Sequence, residues 1–175
     1  HGQVDVARFP KMLANLESDH LFKEWRFNLR TGQTRERVID DIINQEFPGI
    51  NSWMTGHKTR YSWNVLMARQ NRPEDPRFCG LVRYDLEQDS CTSYHAGIHK
   101  WFSEAPFAPK DNWKKEDDGY LVGYMWDDAK QTSYLTIFDA HDITRGPVCR
   151  IRLPQRVPHG FHSTWISGER LARGY

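Results

Sequence analysis

No apolar run in this sequence approaches the roughly 20 residues of a membrane-spanning helix, and no signal-peptide pattern opens it. An excess of charge of either sign is also missing: 24 Lys and Arg stand against 23 Asp and Glu, a formal charge of +1. That balance gives no electrostatic footprint for nucleic acid or for an anionic membrane surface. Cysteine is scarce, with Cys79, Cys91 and Cys149 alone and no CxxC pair. An odd number so spaced argues against a disulfide frame or a zinc site and reads as reduced thiols, with the cytoplasm as the expected compartment. Amphipathic helices of three turns are lacking too; LFKEWRFNL (21–29) alternates at period 2 rather than 3.6. The chain opens on His1 instead of methionine, which reads as a processed piece of something longer.

What is present is aromatic. Phe, Trp and Tyr make up 13% of 175 residues, enough chain for one compact domain and enough large side chains for a β-rich core. Three segments share a pattern: FKEWRFNLRTGQTRERV (22–38), CGLVRYDLEQDSCTSYH (79–95) and SYLTIFDAHDITRGPVCRIRL (133–153). Each has alternating apolar residues, an aromatic followed by Asn or Asp, a polar turn and a second strand-like run. Phe27, Tyr84 and Phe138 align at separations of 57 and 54 residues. Asn28, Asp85 and Asp139 then start the turns, where a short polar side chain accepts from nearby backbone N–H groups. Further strands are expected at TRYSWNVLM (59–67) and GYLVGYMW (119–126). Hairpins recurring at this interval, with other strands between, predict β-propeller blades over an ordinary sandwich. Three repeats cannot close a ring of about four to eight blades and would leave strand edges open, so the chain is expected to be part of a larger propeller.

The histidines come next. In RVPHGFHSTW (156–165), Pro158 and Gly160 argue against a helix, and in a strand His159 and His162 would face opposite ways, so only one can reach a common centre. His95 and His99 would stand about 13 Å apart in a strand, too far to share a metal ion, and are expected at the surface. His20, His57 and His141 lie in polar, turn-like contexts and are expected to be solvated. Phe161 and Trp165 are expected to pack in the core.

RVPHGFHSTW resembles the C-terminal motif of the carotenoid cleavage oxygenases, the group that includes the lignostilbene dioxygenases. QEFPGINSWMTGHKTRYSW (45–63) and WFSEAPFAPKDNWKKEDDGYLVGYMW (101–126) are similar to two more of that family's segments, in the same order. The likeness runs over nearly the whole chain but corresponds to about the last third of a full-length member. It implies an all-β fold, a seven-bladed β-propeller of which residues 1–175 are the C-terminal portion, roughly the last three blades of a single domain. It implies iron(II) on the axis held by four histidines, of which His162 is the last, with Glu104 orienting His162 and Glu46 orienting a ligand that lies elsewhere. A metal-bound imidazole gives its other N–H to an acceptor, which is the physical reason for such carboxylates. His159 stands where the family varies. Ser163 replaces a glycine often found after the ligand, where its side chain can narrow the cavity or bond locally.

The activity so implied is oxidative cleavage of a carbon–carbon double bond by dioxygen, giving two carbonyl products. The substrate is a small hydrophobic alkene, either a carotenoid or apocarotenoid or a hydroxystilbene. The remaining N-terminal blades of the same protein are the necessary partner, and residues 1–175 alone are expected to be inactive. Any peripheral membrane contact would come from apolar loops in the absent region. Two rival readings are a non-catalytic propeller that binds a partner through its face, and a metal-dependent propeller hydrolase with oxygen ligands.

Overall fold

The computed structural model describes residues 20–68, 77–158, 160 and 162–174. It is built almost wholly of antiparallel strands. β1 (Phe22–Phe27) and β2 (Thr34–Asp40) form a separate hairpin. β3 (Gln45–Gly49), β4 (Tyr61–Met67), β5 (Phe78–Asp85) and β6 (Ser90–His95) form one four-stranded meander. β8 (Phe107–Pro109), β9 (Gly119–Asp127), β10 (Thr132–Asp139) and β11 (Cys149–Arg152) form a second. The short β7 (Lys100–Phe102) bridges them, pairing Phe102 with Phe78 of β5 and Trp101 with Trp126 of β9. Four-stranded meanders set side by side are the strand plan of propeller blades, as expected; the described residues supply two such meanders and a hairpin.

The turn chemistry is what the sequence pattern predicts. Asn28 Oδ1 accepts from the N–H groups of Arg30 and Thr31 at 3.0 and 3.1 Å, Asp85 Oδ1 from Glu87 and Gln88 at 3.1 Å each, and Asp139 Oδ1 from His141 at 2.9 Å. Asp127, which the repeat did not flag, does the same between β9 and β10, accepting from Lys130 N–H at 3.1 Å.

In β9 the alternation is plain: Leu121 and Met125 are buried while Val122 and Tyr124 face outward to differing degrees. β4 instead reads as a near-continuous buried run, because it lies between β3 and β5 in its own meander and faces the second meander as well. The core sits between the two meanders. Trp63 stacks on Phe107 with ring centroids 4.8 Å apart and donates its Nε1–H to the Ala140 carbonyl at 2.9 Å. Phe102, Phe138, Leu121, Leu81 and Ile143 fill the rest, with Tyr94 edge-on to Phe138 at 5.0 Å. At Gly80 an added Cβ would strike the Tyr94 backbone carbonyl, so the β5–β6 approach requires glycine.

Three expectations need correction. The 156–165 segment is neither helix nor strand in its described residues, so the strand-based assignment of opposite faces to its side chains has no basis. Trp165 is 45% exposed instead of packed in the core, because no strand carries it inward; Phe161 and His159 lie outside the described residues. His20 is half-buried and bonded, not solvated. His57, His95, His99 and His141 are exposed as expected, although His141 also meets the buried Asp117 through Nδ1 at 2.7 Å. The tail ISGERLARGY forms a short helix, α1 (Gly168–Arg173), whose Ser167 hydroxyl accepts from the Arg170 N–H.

Asp85 anchors the first meander's outer turn and is also gripped by Arg60, with Nε to Oδ1 at 3.0 Å and Nη2 to Oδ2 at 2.6 Å. The guanidinium beside it holds the carboxyl below its ordinary value. A depressed carboxylate stabilises the fold fully above its unfolded pKa of about 3.9 and loses that contribution as pH falls below it. Asp85→Asn keeps the turn acceptor and loses the ion pair. Because Arg60 is 36% exposed, the expected cost is about 1–2 kcal/mol at pH 7. Urea unfolding at pH 7 and pH 3 checks it: the gap between parent and variant should shrink at the lower pH.

Candidate metal centre

After β11 the chain crosses back over the second meander with no ladder of its own. It is tied down at Ser133, whose carbonyl accepts from Leu153 N–H at 2.9 Å and whose hydroxyl oxygen accepts from Val157 N–H at 2.9 Å. Arg156 lies over the Trp126 ring, 4.8 Å from its centroid. This crossing delivers His162 to Glu104, which sits in the link between β7 and β8.

His162 Nδ1 is 3.4 Å from Glu104 Oε2. The same oxygen accepts the Ser163 N–H at 2.7 Å, and the Glu104 carbonyl accepts the Ser163 hydroxyl at 3.1 Å. Glu104 is 23% exposed and the His162 side chain 75% exposed. Nε2 of His162 has no hydrogen-bond partner among the described residues. The Nδ1 contact is a close approach to a carboxylate and not a formed hydrogen bond; closing it would fix the tautomer and ring orientation in the way that suits a metal ligand, with Nε2 left to the ion. The residues therefore fit an iron ligand at this one position. Among the described residues no three His, Cys, Asp or Glu side chains gather as a metal cluster, so the donor set is incomplete within them.

The His162 ring also meets Phe47, edge-on with centroids 5.1 Å apart, and Phe47 in turn meets Phe78 at 5.3 Å. β3 reaches this position through a bulge: Glu46 pairs with Val65 and Gly49 with Trp63, leaving Phe47 and Pro48 opposite Asn64. Pro48 has no N–H to place in a ladder, which suits a bulge. Phe47 has φ 53°, a left-handed backbone that costs a non-glycine residue about 1–3 kcal/mol and persists only where its surroundings impose it. No sequence signal points to it; a residue before proline is normally extended.

Of the three expected site residues, His162 and Glu104 are brought together. Glu46 is not in that pair. Its Oε1 faces His20 Nε2 at 3.1 Å, and His20 Nδ1 lies 3.2 Å from Asn44 Oδ1. Cavities of about 380 and 860 Å³ lie between the β1–β2 hairpin and β3; neither is lined by His162 or Glu104.

A β-propeller segment with an imidazole facing a carboxylate defines the class, and comparison with known proteins defines the family. Residues 4–167 match the family model described as retinal pigment epithelial membrane protein. The chain belongs to that family, the carotenoid cleavage oxygenases. It is 30% identical over 161 residues to a carotenoid 9,10(9',10')-cleavage dioxygenase of Arabidopsis thaliana, covering 85% of this chain and 29% of that protein. It is also 30% identical over 174 residues to a carotenoid cleavage oxygenase of Mycobacterium tuberculosis, covering 93% of this chain and 33% of that one. Among solved structures, cobalt-substituted Synechocystis apocarotenoid oxygenase superposes with a TM-score of 0.74 at 22% identity, over 83% of this chain and 30% of its own. The lignostilbene dioxygenase of Pseudomonas brassicacearum gives 0.72 at 25% identity, over 83% and 32%. The chain thus spans about a third or less of the length of these relatives.

The Phe47 geometry generates a comparison of two variants. Both Phe47→Ala and Phe47→Gly lose the ring contacts, but only alanine keeps the left-handed strain. Alanine should therefore be the more destabilising by about 1 kcal/mol, measured by chemical unfolding. Equal losses would show that the bulge relaxes freely.

Proposed function

We propose that the intact protein is a non-heme iron(II) dioxygenase that cleaves a carbon–carbon double bond of a hydrophobic alkene into two carbonyl products. His162 is one of the iron's ligands and Glu104 the carboxylate that orients it. The observation that carries this reading is the His162–Glu104 pair, with Nδ1 facing the carboxylate at 3.4 Å, on a chain of this family. Bound iron(II) in an imidazole shell supplies the activation of dioxygen, and one O2 accounts for both carbonyl oxygens of the products.

What this chain contributes is placement. Glu104 faces Nδ1 of His162 at 3.4 Å, where a short closure would let it accept the Nδ1–H and leave the lone pair on Nε2. The Phe47 ring, edge-on to the imidazole, limits its rotation from that side. Neutral imidazoles leave the charge on the ion uncancelled, which suits binding of dioxygen over hydrolysis by a hard cation. The remaining ligands are expected from N-terminal blades of the same protein. The exposed Trp25, Phe27 and Val38 of the β1–β2 hairpin are apolar surface that such a neighbour would cover. The names of the relatives point to carotenoid, apocarotenoid or lignostilbene substrates, and the cytoplasm is the compartment that unpaired thiols at Cys79, Cys91 and Cys149 suit.

Metal analysis of the intact protein should find one equivalent of iron and dioxygen-dependent turnover. His162→Ala should lose the iron and the activity; full retention of both sinks the assignment. Glu104→Gln, which keeps the shape but weakens the acceptor, should cost 10–100-fold in iron affinity or activity. Residues 1–175 alone should hold no stoichiometric iron and show no turnover, because a single imidazole binds the ion too weakly.

A further inference from the structure

The His162–Glu104 pair leaves one matter open: what holds Glu104? It lies in a link between two three-residue strands and has no ladder partner of its own. Its neighbours are pinned to β9, with Ser103 N–H on the Tyr124 carbonyl at 2.9 Å and Val122 N–H on the Pro106 carbonyl at 3.1 Å. Gly123 lets the link come close; a Cβ there would lie 3.1 Å from the Glu104 carbonyl oxygen and 3.0 Å from the Ala105 Cβ. None of these contacts touches the carboxylate.

We propose that Ser163 is the positioning residue of this pair, its hydroxyl and N–H together clamping Glu104 at both ends so that the carboxylate meets His162 in one orientation. The proposal rests on the iron-site reading above. Two hydroxyls converge on the Glu104 carbonyl, Ser103 Oγ at 2.8 Å and Ser163 Oγ at 3.1 Å, while Ser163 N–H holds Oε2 at 2.7 Å. Ser103 Oγ itself accepts the Tyr124 N–H at 3.0 Å, which links the clamp to β9. Because Ser163 is covalently next to His162, every bond from 163 to Glu104 also sets the distance from the imidazole to the carboxylate.

The two bonds are not equivalent. Any residue but proline supplies the N–H. Only a hydroxyl side chain reaches the carbonyl. Without it, the ladder-free 162–163 segment hangs from Glu104 by the carboxylate alone, and that carboxylate turns about its own side-chain torsions. The 3.4 Å approach of Nδ1 is the longest contact in the cluster and the first to be lost.

The test uses the intact protein and three readouts: ferrous ion affinity of the metal-free protein by chelator competition, the visible spectrum of the cobalt(II)-loaded form, and the unfolding midpoint without metal. Ser163→Ala should weaken iron binding about 3–10-fold, less than the 10–100-fold of a direct outer partner because it acts one bond further away. It should also shift the cobalt(II) bands while leaving the metal-free midpoint nearly unchanged. Ser163→Thr keeps the hydroxyl and should restore both; Ser163→Gly, a second hydroxyl-free variant, should behave as alanine does. Parent-like affinity and spectrum in the alanine and glycine variants, with His162→Ala losing the ion, overturns the clamp alone. If His162→Ala keeps the ion, the iron-site reading falls and the clamp with it.

Discussion

A single carboxylate carries the arrangement of this site. The described residues between Leu153 and Ser167 return across the second meander without strand pairing, and a segment with no ladder takes its geometry from whatever side chains it meets. Here it meets Glu104. The carboxylate receives the Ser163 N–H and faces His162 Nδ1, so one half-buried group both stops the chain and aims the imidazole. A carboxylate is a sound choice because a bond from N–H to an ionised acceptor is about twice as strong as a neutral one. It also explains why Glu104 is not left deeper in the core: at 23% exposure it keeps some water and avoids the full cost of a buried charge.

Behind that point the two meanders, joined through β7, pack on each other through aromatic rings. Trp63 reaches from β4 to Phe107 and to the Ala140 carbonyl, so one residue fastens the first meander to both the entry and the exit of the second. Polar groups buried on the other side of β4 are joined head to tail. Ser62 donates to Asn64, Asn64 to Gln45, Gln45 to the Tyr84 hydroxyl, and Tyr84 to Asp40. Each link has one direction, and burial together with the Asp40 acceptor pushes the Tyr84 hydroxyl pKa upward. A chain of this kind is worth having only if complete, since one missing member strands a buried polar atom.

Much of this was legible in the residues. The hairpins of β1–β2, β5–β6 and β10–β11 follow from alternation plus an Asn or Asp at the turn, because strand period and turn acceptor are local properties. The proximity of Glu104 and His162 was legible only through family resemblance; 58 positions of chain separate them and no local rule joins them. Other features were not legible at all. The bulge at Phe47 runs against the usual preference before proline and is imposed by packing on Phe78 and His162. The path of 156–165 defeated a strand reading because Pro158, Gly160 and tertiary tethers to Ser133 decide it, not its alternation. His20 looked solvated since its partners Asn44 and Glu46 are brought to it by β3, beyond the reach of local pattern.

Glu46 and Phe47, adjacent in sequence, serve different neighbours. In a regular strand successive side chains point to opposite faces, and the next residue on the Phe47 side would be Gly49. The left-handed turn at Phe47 and the proline after it shift the register by placing two residues opposite one. Glu46 faces His20 and the hairpin, while the Phe47 ring meets His162. Alternation alone separates the two side chains; what the left-handed residue adds is the register shift that sets Phe47 and Pro48 opposite Asn64. The local backbone strain is tolerated because Phe78 and the second meander already confine the ring from behind.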